Sequence, residues 1–146
     1  MVTFIKSATF DCADALVAAR FSAAALDGDL DGDSTSDKAC VEAPGWGGAN
    51  LWFQRVPEPR TVKNRLHFDL RAPDPVADEV RRLTAIGATV ARESEDITVM
   101  RDPEGNEFCV ERWPRRWARA PSPARRDPLL ESIRAVASLA SARAAR

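Results

Sequence analysis

The segment KNRLHFDL, residues 63–70, carries the chain's single histidine, His67. An imidazole changes charge near neutrality and also serves as a metal ligand. Around it Leu66, Phe68 and Leu70 alternate with Arg65, His67 and Asp69. In an extended strand this gives one apolar face and one chemically active face. Three further stretches alternate in the same way. Leu51 and Phe53 interleave with Trp52 and Gln54, Phe108 and Val110 with Glu107, Cys109 and Glu111, and Ala8 and Phe10 with Ser7, Thr9 and Asp11. The candidate ligand-binding set is therefore Thr9, Asp11, Trp52, Gln54, His67, Asp69, Glu107, Cys109 and Glu111. A cavity histidine hydrogen-bonded to Asp69, Asp11 or Glu111 is preferred over a metal-bound one. Trp52 reads equally as a stacking platform for a planar ligand or as a filler of the cavity. Catalysis has no motif to stand on, because a Gly-rich phosphate loop, a G-x-S-x-G elbow and a recognisable Cys–His spacing are all missing.

Elements must hold these faces in place. The opening TFIKSATFDC reads as a strand, and Asp14 caps a helix over 14–26 with Val17, Phe21 and Ala24 on one side. DGDLDGD ends that helix as a turn; KACVEA and NLWFQRV follow as strands around the loop PGWGG. After PEPRT, a fourth strand covers 65–70. Asp74 and Pro75 then start a helix over 74–86 with a Val76, Val80, Leu83 stripe, and Gly87 stops it. The short strands ATVAR, ITVMR and NEFCVER close the domain, with DPEG as the last turn. Each half runs strand, helix, strands, which is an internal duplication. The expected fold is α+β: two βαβββ modules, about 3–56 and 64–112, form a curved mixed sheet around a cavity with the helices outside.

Two further features are weighed and set aside or bounded. DGDLDGDSTSDK resembles a calcium loop in placing Asp27, Asp29, Asp31 and Gly32, but its twelfth residue is Lys38, a cation where a bidentate carboxylate belongs. It is read as an acidic turn. Residues 113–146 form a basic linker and a C-terminal helix started by Asp127 and Pro128. Eight arginines there stand against Asp127 and Glu131, a balance of +6; with −1 for the whole chain, the first 112 residues carry −7. Self-docking of this tail, or a homodimer through Trp113 and Trp117, is preferred over nucleic acid. Three widely spaced cysteines and an N-terminus without signal-peptide character fit a cytoplasmic protein. No apolar run approaches the roughly 20 residues of a membrane helix.

The two modules, LWFQRVPEPRTVKNRLHFDLRAPD and the closing DPEGNEFCVE resemble the vicinal oxygen chelate superfamily, and especially its glyoxalase-like and bleomycin-resistance-protein-like members. The resemblance covers residues 3–112. It implies the same fold and, in metal-dependent relatives, a quartet of His or Gln, Glu, His and Glu. Here the four positions hold Ser7, Trp52 or Gln54, His67, and Cys109. With both acidic ligands replaced, a firmly held divalent metal is disfavoured; His67, Gln54 and Cys109, with Glu111 in reserve, are the weak candidates. The expected function is small-molecule binding without a tightly bound metal or other cofactor. The alternatives are a metal-dependent lyase, isomerase or dioxygenase centred on His67, and a regulatory protein acting through the basic helix.

Overall fold

The computed structural model describes residue 3 and residues 5–43, 48–72 and 75–112. The chain order is β1 (Ser7–Cys12), α1 (Ala15–Leu26), β2 (Asp29–Leu30), β3 (Lys38–Glu42) and β4 (Asn50–Arg55), then β5 (Asp69–Ala72), α2 (Val76–Ala85), β6 (Thr89–Glu93), β7 (Ile97–Arg101) and β8 (Glu107–Arg112). The strands make two four-stranded mixed sheets, ordered β1-β4-β3-β2 and β5-β8-β7-β6. Each module opens with a strand that pairs in parallel with the module's last strand, and its remaining pairs are antiparallel. The duplication read from sequence is thus a duplication of topology. Residues 44–47 of the PGWGG loop, the Asp74 cap and the whole of 113–146 lie outside the described residues.

Alternation placed the core correctly in most strands. Leu51 and Phe53 are buried beside α1, as are Phe108 and Val110 in the second sheet. Phe68 joins the two cores, meeting Phe10 edge-on with ring centroids 5.4 Å apart, and Phe10 stacks on Phe53 at 5.3 Å. Five of the six phenylalanines line this seam, whose remaining void is only about 50 Å³.

Four expectations are corrected. The fourth strand starts at Asp69, so His67 lies on its lead-in, and Leu66 is 67% exposed instead of core. Side chains hold that lead-in: Asn64 Nδ2 donates to Asn106 Oδ1 at 2.6 Å, and Lys63 Nζ pairs with Glu107 at 2.9 Å. The buried side of α1 is Ala15, Ala18, Ala19 and Phe21, leaving Val17 and Ala24 exposed. In so alanine-rich a helix, small residues let the backbone approach the sheet, and of the expected stripe only Phe21 is buried. Residues 29–30, read as turn, are the edge strand β2 on β3. Pro75 is the cap of α2, one position before the first helical residue.

The helix ends tie the modules together. Asp14 Oδ1 accepts from the Leu16 and Val17 amides at 3.0 Å, the predicted cap. Glu104, from the DPEG turn of the other module, accepts from the Ala13 and Asp14 amides at 2.9 and 3.1 Å. At the other end, Arg82 of α2 donates to the Ala24 and Ala25 carbonyls, both at 2.8 Å. A carboxylate at the N-terminus and a guanidinium at the C-terminus both complement the helix dipole. Gly87, at φ 113°, occupies the left-handed position after α2, where the Ala88 amide returns to the Leu83 carbonyl. Asp27, at φ 54°, ends α1 in the same conformation, and Lys38 opens β3, so the acidic stretch between them serves as helix stop and edge strand.

Candidate functional site

The polar faces of the two modules carry different chemistry. On the first, β1 and β4 run side by side with Thr9 opposite Trp52 and Asp11 opposite Gln54. Gln54 Nε2 donates to Asp11 Oδ1 at 2.7 Å, and Trp52 is 37% exposed. This face presents an amide, a carboxylate and an indole to solvent.

The second face holds His67. Pairing of β5 with β8 sets Asp69 opposite Cys109 and Arg71 opposite Glu111. His67 Nε2 stands 3.4 Å from Asp69 Oδ1, and donor atoms of His67, Asp69 and Cys109 all fall within 4.8 Å of one another. Burial pushes the Cys109 thiol up, and the neighbouring Asp69 carboxylate adds to the rise. Glu107 sits between Lys63, at 2.9 Å, and Arg101, at 3.3 Å, and the Lys63 ammonium holds its carboxyl below the usual range. Glu111 is taken up by Arg71 at 3.5 Å.

A cavity of about 300 Å³ opens over this face, lined by Lys63, His67, Arg92, Arg101, Glu107 and Cys109 among others. That volume suits a small organic ligand. Of the nine candidate residues only His67, Glu107 and Cys109 line it; Asp69 and Glu111 share its face outside the lining, and Thr9, Asp11, Trp52 and Gln54 lie on the first module's face. A larger space of about 610 Å³ lies at the rim between Asp11 and Arg60. Most of its polar groups are already committed: Asp11 to Gln54, Glu104 to α1, Arg60 to the Gly105 carbonyl at 2.7 Å, and Asn64 to Asn106. The His67 cavity is therefore the better ligand site.

Sequence reasoning missed its three cationic residues, Lys63, Arg92 and Arg101. Lys63 lies in a loop and carries no periodic signal. Arg101 could have been found, because Val99 and Arg101 alternate with Met100, which is fully buried. Arg92 could not, because the register shifts between Val90 and Arg92.

The donor set fits a firmly held divalent ion poorly. Gln54 is turned to Asp11, Glu107 and Glu111 are paired with cations, and burial pushes the Cys109 thiol up. Ser7 offers only a hydroxyl. What remains is His67 and Asp69 beside a thiol that must first lose its proton.

The family model for the glyoxalase-like domain matches residues 7–111. No curated protein matches the sequence. Among solved structures, a glyoxalase-related enzyme from Fulvimarina pelagi is similar at a TM-score of 0.61 and 15% identity, over 77% of this chain and 90% of its own. A possible glyoxalase from Bacillus cereus gives 0.58 and 17%, over 75% and 99%. The fosfomycin resistance protein FosX from Mesorhizobium loti gives 0.58 and 14%, over 80% and 96%. At these identities the structures speak for the fold alone, and they agree with the paired βαβββ modules. On the family match and this shared architecture, the chain belongs to the glyoxalase-like domain family, within the vicinal oxygen chelate superfamily.

Proposed function

We propose that this domain binds a small organic molecule in the His67 cavity and does so without a tightly bound metal. The observation that carries the reading is the cavity of about 300 Å³ in which an imidazole, a thiol and an ion-paired carboxylate converge. Such a site offers hydrogen bonds of both senses over an apolar floor, which orients a ligand without requiring an ion. Metal analysis of protein purified without affinity tag or chelator tests the second half of the reading. Far less than one ion per chain is expected, and near-stoichiometric Zn, Fe, Mn or Ni would overturn it.

A second reading draws on the His67, Asp69 and Cys109 cluster, whose donors lie within 4.8 Å. A metal-dependent lyase, isomerase or dioxygenase would use it to hold an ion that polarises substrate oxygens. The paired carboxylates and raised thiol weigh against it. A cytoplasmic location and a homodimer complete the proposal. Among the described residues no helix is long and apolar enough to cross a membrane.

A further inference from the structure

The edge strand β6 contains one residue more than its partner. Val90 pairs with Met100, but Arg92 pairs with Val99, so Ala91 is a bulge between them. In a regular strand, Arg92 would share a face with Val90, the face of fully buried Met100. The extra residue reverses the parity. Arg92 then stands with Val99 and Arg101 on the wall of the His67 cavity.

Its charge is uncommitted. Lys63 and Arg101 converge on Glu107, whereas Arg92 has no ion pair or side-chain hydrogen bond among the described residues. The wall thus carries Lys63, Arg92 and Arg101 against one carboxylate, Glu107. A guanidinium left free in a concave, cationic wall is suited to bidentate pairing with an oxyanion.

We propose that the ligand of this cavity bears an acidic group, a carboxylate or a phosphate, and that the β6 bulge exists to turn Arg92 toward it. The inference rests on the His67 cavity being the ligand site, and it names the ligand's chemical class.

The test is an amide-shift titration of the ¹⁵N-labelled full chain with benzoate, inorganic phosphate and benzamide in turn. At least one acid should shift Val99, Arg101 and Cys109 saturably, and whichever acid does so tells carboxylate from phosphate. Arg92→Gln should weaken that binding about tenfold or more, Arg92→Lys less, and Arg81→Gln on the far helix not at all. Equal affinity in wild type and Arg92→Gln overturns the proposal. Benzamide binding as tightly as benzoate, or binding alone, also overturns it while leaving the cavity as a ligand site. Failure of all three probes overturns both.

Discussion

The two modules share a topology and differ in what they bury and what they present. The first packs its helix through four buried residues, three of them alanines, and presents a polar face with one amide–carboxylate pair. The second fully buries a single residue of its helix, Leu83, and presents a face crossed by ion pairs around a cavity. The helices differ accordingly: α1 is capped from the other module at both ends, while α2 supplies one of those caps. The duplicated frame is therefore the same in both halves, while burial and the pairing of charges differ between them.

The largest expected effect removes the one fully buried side chain of α2, beside which Val76 and Val80 pack on the same core. Leu83→Ala should cost about 3 kcal/mol, the usual range for a buried leucine whose site cannot collapse. Val17→Ala, on exposed α1 surface, should change little. Urea titration of both variants checks this, and a Leu83→Ala loss below about 1 kcal/mol would mean that α2 is held elsewhere.

An intermediate effect sharpens the role of α2 as a cap. The Arg82 guanidinium grips both oxygens of Glu79, at 2.6 and 2.8 Å, and holds its carboxyl below the usual range. A carboxyl whose folded value is depressed contributes stability above its unfolded value of about 4.3 and loses it as pH falls through the folded value. The stability gap between wild type and Glu79→Gln should therefore be full near neutrality and close as pH drops below about 4. A gap that widens on acidification would contradict the pairing.

The smallest effect belongs to the first module's face. Gln54→Ala removes an exposed bond to Asp11 and should shift stability by no more than about 0.5 kcal/mol. Ligand binding should be untouched, because Gln54 does not line the His67 cavity. A binding loss in this variant would rejoin the two faces into one site.

These contrasts also explain what the sequence could reveal. Strict alternation made β4 and β8 readable, because Leu51, Phe53, Phe108 and Val110 meet a core at every second position. The same rule failed at Leu66, where loop side chains hold the backbone off the ladder. It failed at Arg92 as well, because one inserted residue inverts the face of everything after it. In α1, alanine spread over the whole helix erased the contrast that marks a buried side. Of the nine candidate residues, His67, Asp69, Glu107, Cys109 and Glu111 share the second module's face. The other four were drawn into one set by pattern alone, since period 2 says which face a residue takes and not which sheets face each other.

The central claim is a His67 cavity that needs no tightly held ion. A resident metal would stabilise the folded state by mass action, and chelation would then lower the melting temperature. Thermal unfolding of wild type and His67→Ala, each with and without EDTA, is the most direct test. The prediction is four nearly coincident curves. A marked EDTA-induced drop in wild type that is absent from His67→Ala would contradict it.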